Sequence, residues 1–195
     1  MADLKVTPEQ EKEVKPLGFL RNRGTDNFSA RIITVNGKIL SNQQRCIADA
    51  ADKFGNGNVL FTTRLTIEVP GILYDKIQEF RDYIAEEGLE TGGTGSKVRP
   101  VVSCKATTCQ YGLIDAYDLS ESIHKKFYNG YRKVKLPHKF KIAVGGCPNN
   151  CVKPNLNDLG IVGQLKPGYD EELCNGCKKC SVENICPMNA AQVIN

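Results

Sequence analysis

Apolar residues recur along this chain in two rhythms, one strand-like and one helix-like, that succeed each other every ten to twenty residues. Residues 31–35 read as a short strand, and Asn36 followed by Gly37 supplies a turn. Ser41 suits a helix N-cap, and Ile47, Ala50, Ala51 and Phe54 then recur at helical spacing. Gly55, Asn56, Gly57 and Asn58 break that helix. Residues 59–69 alternate, with Phe61, Thr63, Leu65, Ile67 and Val69 on one face and Thr62, Arg64, Thr66 and Glu68 on the other. The pattern predicts one strand, ended by Pro70 and Gly71. Residues 72–87 predict an amphipathic helix with Leu73, Ile77, Phe80 and Ile84 inward.

A glycine-rich stretch at residues 91–96 interrupts the pattern. Beyond it, residues 98–103 predict a strand running into Cys104, residues 116–131 a helix, and residues 140–144 a strand running into Gly145, Gly146 and Cys147. Lys166, Pro167 and Gly168 mark a second interruption. The predicted class is α+β, in four parts: an arm at 1–16, a compact unit at 17–90, a second at 91–165 and a cysteine module at 166–195.

Of nine cysteines, eight fall into two quartets. One is compact: Cys174-x2-Cys177-x2-Cys180, then Cys186 followed by Pro187. Three thiolates this close favour a cluster of several irons over one tetrahedral zinc, and the ending matches the ferredoxin run C-x2-C-x2-C-x3-C-P. The last gap is five residues here, which a longer loop would accommodate. With a single such run present, Cys186 is expected to close the same cluster. The chain stops nine residues later, which fits a fragment as well as a short family member. The other quartet is split, Cys104-x4-Cys109 and Cys147-x3-Cys151, and its spacing alone suits zinc or a [4Fe–4S] cluster. Gly145 and Gly146 let the backbone approach a large planar ligand, which favours a cofactor. Cys46, within the helical stripe, reads as a core residue.

Net charge is only +4, which gives no argument for a nucleic-acid partner. The N-terminal residues are charged, no stretch is apolar enough to span a membrane, and a cytoplasmic location is expected. In that reducing compartment, clustered cysteines read as ligands rather than disulfides. The local placement of cations changes the picture more. Period-two alternation puts Lys139 and Lys141 on one strand face, roughly 7 Å apart, which reads either as a solvated face or as a pair that repels unless an anion lies between them. Arg31, Arg64 and Arg99 occupy polar strand faces or strand starts, and Arg99 lies five residues before Cys104, within reach of the same site. His124 is expected at the surface of a charged helix, and His138 is given no role.

These residues together resemble the siroheme-containing nitrite and sulfite reductases. The likeness rests on Phe61, Thr62, Thr63 and Arg64 before Pro70, Gly71 and Ile72; on residues 98–104 and 136–141; and on Cys147-Pro-Asn-Asn-Cys151. It spans residues 17–165, with a ferredoxin-type module appended. It implies a ferredoxin-like half-domain at 17–90, a siroheme and 4Fe-4S domain at 91–165, and a small cluster module at the C-terminus. Carried over, Cys104, Cys109, Cys147 and Cys151 would hold a [4Fe–4S] cluster, and Cys151 would also bridge to siroheme iron. Arg31, Arg99, Lys139 and Lys141 match the family's substrate-side cations, and Arg64 one that contacts siroheme. Cys174, Cys177, Cys180 and Cys186 would hold a second [4Fe–4S] cluster.

The activity implied is six-electron reduction of sulfite to sulfide, or of nitrite to ammonia, fed by an electron-donor protein. Lysine can release a proton where arginine cannot, so Lys139 and Lys141 are the preferred acids. This sequence departs from the family in a four-residue gap between Cys104 and Cys109 where five is usual, and in Leu65 where a polar residue is commoner. Larger members carry two copies of the repeat, so a homodimer or a partner subunit would complete the pocket. A non-catalytic iron–sulfur electron carrier and a zinc-structured binding module are the competing readings. The first leaves Lys139, Lys141 and Arg99 unexplained, and the compact run of Cys174, Cys177 and Cys180 argues against the second.

Overall fold

A computed structural model describes residues 5–193. The chain divides into two units, 1–164 and 165–195. In the first, α1 (Pro8–Val14) begins at a capping box in which Thr7 and Gln10 satisfy each other's backbone amides, so the polar arm turns helical from Pro8. Strands β1 (Phe19–Arg21), β2 (Asn27–Ile32), β3 (Leu60–Phe61) and β4 (Ile67–Leu73) form an antiparallel sheet in the order β1-β2-β4-β3. Helices α2 (Ser41–Phe54) and α3 (Ile77–Ala85) belong to the same core. Phe28, Ala30, Ile32, Val69, Ile72, Phe80 and Ile84 are fully buried there, and Phe80 meets Phe19 and Phe54 edge-on. Each such ring contributes about 1.5–3 kcal/mol by leaving water.

Period-two alternation leaves Arg31 and Glu68 on the other face of this sheet, directly opposite each other across β2 and β4. The strand predicted over residues 59–69 is two strands. Its threonines capture the backbone between them: the Thr62 and Thr66 hydroxyls lie 2.7 Å apart, Thr62 N–H donates to Thr66 O and Leu65 N–H to Thr62 O. Leu65 takes a left-handed φ of 58°, and Phe61 is exposed rather than inward. Pro70 and Gly71 do not end β4. They sit in a bulge, where β2 advances two residues from Phe28 to Ala30 while β4 advances three from Ile72 to Val69. Ile72 and Leu73 therefore complete β4, and the helix starts only at Ile77, after a tight turn at Tyr74–Lys76. Leu73, expected inward, is half exposed. Ser41 is the first helical residue rather than the cap; Leu40 holds that place, its N–H donating to the Gln43 side chain.

A second, parallel sheet orders β5 (Val102–Ser103), β6 (Ile142–Gly145) and β7 (Leu159–Val162), with β6 central and buried along its whole length. Helix α4 (Ala116–Ile123) continues into a π-helical segment, His124–Asn129. Ala116, Ser120, His124 and Tyr128 are all buried. In an α-helix a four-residue step drifts by roughly 40°, so the wider winding keeps His124 and Tyr128 on the inner face. His124 is thus core rather than surface, whereas His138 is exposed and lines neither cavity described below.

In the second unit, α5 (Ser181–Ile185) fills the gap between Cys180 and Cys186, so the extra residues form a helical turn rather than a loop. None of its described residues is buried. Among the described residues no helix is long and apolar enough to cross a membrane.

Burial holds the His124 imidazole below its ordinary pKa. With the folded-state value depressed, protonation favours the unfolded chain as pH falls below about 6.5. Denaturant titrations are expected to show stability declining from pH 7 to pH 5, and His124→Gln to flatten that decline.

Candidate functional site

Two cavities lie on either side of the turn between β3 and β4, and neighbouring residues of that turn line each. The first, of about 240 Å³, is walled by Arg31, Arg64, Arg99, Lys139 and Lys141, with Thr66, Gly93 and Pro100. All five cations singled out in the sequence converge here. Arg31 comes from the free face of β2, Arg64 from the turn, Arg99 and the two lysines from chain entering the parallel sheet. Arg99 N–H donates to Phe140 O and Phe140 N–H to Lys97 O, which ties Arg99 to the segment between the lysines.

The cations are unequally compensated. Arg31 is paired with Glu68 at 2.5 Å, through both Nε and Nη2. Arg64 has no acid partner among the described residues; Nη1 donates to Asn157 Oδ1 (2.9 Å), Nη2 to Pro100 O (3.1 Å), and its buried Nε has none. Arg99 donates to Gly93 O. Burial lowers the pKa of both, and neighbouring arginines add to it: Arg99 and Arg31 press on Arg64, and Arg31 on Arg99. Like charges drawn together in a half-buried cleft, with an unused donor among them, attract an anion.

The second cavity, of about 370 Å³, is lined by Cys104, Cys109, Cys147 and Cys151. Parallel pairing of Ser103 with Val144 delivers Cys104 and Cys147 past the same, carboxyl end of the sheet, where open α/β sheets place ligands. Gly146 N–H donates to Cys104 Sγ at 3.1 Å. A Cβ on Gly146 would collide with Ala106, one on Gly112 with the Ala106 carbonyl, and one on Gly163 with the Gly146 carbonyl, so three glycines keep the cradle open. The four-residue gap does not remove Cys109 from the set. Among the described residues no three His, Cys, Asp or Glu side chains converge on one metal-ion position. Four thiols spread round one cavity suit a multi-iron cluster, with the thiolates at its corners.

The cavities share no lining residue. Arg99, expected to reach the cysteines, turns instead to Gly93. Within the turn, Arg64 and Thr66 line the first cavity and Leu65, between them, the second. In the second unit, backbone N–H groups of Ala190, Ala191, Met188 and Asn189 hold the Cys186 thiol below its usual pKa, that of Ala190 at 3.3 Å. Tyr169 and the Gly176 amide do the same for Cys174. Both favour thiolates, the ligating form.

Residues 94–179 match the nitrite and sulphite reductase 4Fe-4S domain, and residues 21–87 the nitrite/sulfite reductase ferredoxin-like half domain. The chain belongs to the nitrite and sulfite reductase family. It is 35% identical over 148 residues to the coenzyme F420-dependent sulfite reductase of Methanocaldococcus jannaschii, covering 75% of this chain and 23% of that protein. It is 30% identical over 174 residues to one of the anaerobic sulfite reductase subunits of Salmonella typhimurium, covering 81% and 49%. The chain thus spans half or less of the length of these relatives. The NirA protein of Mycobacterium tuberculosis shares the fold, with a TM-score of 0.62 at 16% identity over 72% of this chain and 30% of that one.

Sequence reasoning missed Glu68, Asn157 and the cradle glycines Gly112 and Gly163. Glu68 was legible as the one acid on the polar face that carries Arg64; Asn157 carried no signal, because only the fold brings it to Arg64. Glu68→Gln is expected to lower the melting temperature by a few degrees in low-salt, anion-free buffer, since it leaves Arg31 uncompensated beside Arg64 and Arg99. Added sulfate should restore it, and melting curves with and without sulfate check this.

Proposed function

We propose that the chain is a catalytic subunit of a siroheme- and 4Fe-4S-dependent reductase that takes sulfite to sulfide by six-electron reduction. The observation that carries this reading is the convergence of Arg31, Arg64, Arg99, Lys139 and Lys141 on one cavity. That cavity lies at the start of the strand whose other end leads to the cysteines. The two relatives named above are sulfite reductases by name, and a nitrite reductase large subunit of Klebsiella oxytoca is 32% identical over 116 residues, so reduction of nitrite to ammonia stands beside that of sulfite.

Cys104, Cys109, Cys147 and Cys151 fit a [4Fe–4S] cluster by donor type and by the glycine cradle. Cys151, the most exposed of the four, would be the thiolate best placed to meet a siroheme beside the cluster. The unpaired Arg64 donor and the half-buried arginines fit the carboxylates of that macrocycle as well as an oxyanion. When bound, siroheme supplies the iron at which the substrate is reduced, and the cluster supplies electrons. Arg99, with Arg31 beside it, would orient the oxyanion through guanidinium N–H donors that Gly93 and Glu68 leave free. Each oxygen of the substrate departs as water, so protons must arrive with the electrons; Lys139 and Lys141 can give them up at Nζ. Cys174, Cys177, Cys180 and Cys186 would hold a further [4Fe–4S] cluster, which would supply a relay for electrons from a donor protein. A second copy or a partner subunit completes the pocket.

Protein purified without oxygen from siroheme-replete cells is expected to contain iron, acid-labile sulfide and extractable siroheme. Cys151→Ala should lose the siroheme, and Lys141→Met should slow sulfite turnover about 100-fold. Iron and sulfide without tetrapyrrole would point instead to an electron carrier. Because none of the described residues in the second unit is buried, its order depends on the cluster. Chelation of iron should therefore expose residues 165–193 to protease before residues 5–164, read by mass spectrometry of the fragments.

A further inference from the structure

The π-helical segment and its buried aromatic pair take no part in the chemistry above, yet they stand behind one wall of the cation cavity. Tyr128 is 4% exposed and His124 3%, with ring centroids 4.7 Å apart, and His124 Nδ1 has no hydrogen-bond partner among the described residues. From the outside, Arg132 lies 5.8 Å from the Tyr128 ring and is itself tied to Glu90 at 2.5 Å. The phenol is therefore clamped between two neighbours. Its hydroxyl lies 2.9 Å from where a Cβ on Gly92 would stand.

Gly92 and Gly93 have little freedom. Gly92 N–H donates to Arg31 O at 3.0 Å, and Gly18 packs so closely on Gly92 that a Cβ on Gly18 would strike the Gly92 nitrogen. Gly93 sits at a φ of 67°, against Pro100 and Ile33. Its carbonyl accepts the hydrogen bond from Arg99 Nη1, and it lines the cavity itself. Burial raises the Tyr128 phenol above its usual pKa, while Arg132, the Gly93 amide and Arg99 oppose the rise.

We infer that Tyr128 is a positioning residue for the anion cavity: its hydroxyl, fixed by the π-helical turn, holds Gly92 and Gly93 so that the Gly93 carbonyl aims Arg99 at the oxyanion. The inference rests on the oxyanion-site reading proposed above. A guanidinium free to choose among many rotamers binds an anion weakly unless its direction is set beforehand, and the Gly93 carbonyl sets it. Tyr128 never touches the anion.

A double-mutant cycle on the full-length protein tests this, with sulfite affinity measured by anaerobic calorimetry on wild type, Tyr128→Phe, Arg99→Ala and the double variant. Tyr128→Phe keeps the ring and its packing on His124. It is expected to weaken sulfite binding about tenfold when Arg99 is present and less than about twofold when it is not. Equal losses in both backgrounds, or no loss in either, overturn the inference and leave the oxyanion site standing. Melting temperatures of the four proteins identify a general loss of structure, which would lower affinity equally in both backgrounds. Wild-type protein that binds no sulfite overturns the oxyanion site and the inference together.

Discussion

The parallel pairing of β6 with a strand on each side is the constraint on which both cavities depend. Its residues from Ile142 to Gly145 are buried on both faces, so a one-residue slip would draw Lys141 into a buried position. That register sets Lys139 and Lys141 at one end and Cys147 at the other. Pairing with β5 brings Arg99 alongside the lysines and Cys104 alongside Gly145. A handful of backbone hydrogen bonds thus assigns charge to one end and sulfur to the other.

The cation cavity is held against its own repulsion. Among the described residues, only Glu68 compensates from direct contact with its arginines, and it does so for Arg31 alone, from the strand directly opposite. Arg64 and Arg99 are held by neutral carbonyl and amide oxygens. Such groups orient a guanidinium without cancelling its charge, which leaves the field available to a ligand. A fully paired cluster of arginines and acids would be more stable and would bind an anion less well. The turn at Leu65 shows a similar compromise: a strained backbone is fixed by Thr62, Thr66 and Thr34 so that Arg64 and Leu65 face different cavities.

The two cysteine sets are stabilised by opposite means. Cys104, Cys109, Cys147 and Cys151 hang from a sheet whose core, from Val98 and Val101 to Ile142 and Val144, exists without them. The described residues of the second unit form no such core; Leu165, Leu173, Ile185 and Met188 are each more than three-quarters exposed. Its amides converge on Cys186 in place of apolar packing. A segment of that size and exposure has too little apolar burial to fold on packing alone.

The chain's own letters determined the chemistry. Cysteine spacing, the alternation of Lys139 with Lys141 and the arginines on polar faces were readable because each depends on residues near in sequence, where the periods of strand and helix settle which side chains share a face. The core positions Ile47, Phe80, Ile84 and Cys46 were legible for the same reason. Tertiary structure decided what sequence distance conceals: that the alternating run at 59–69 folds back on its threonines, that His124 lies inside, that Arg99 serves the cations and not the cysteines, and that Gly93, in a stretch that reads as a mere interruption, lines a cavity. In each case the deciding partner lies far along the chain or competes through a local hydrogen bond, and neither leaves a period in the sequence.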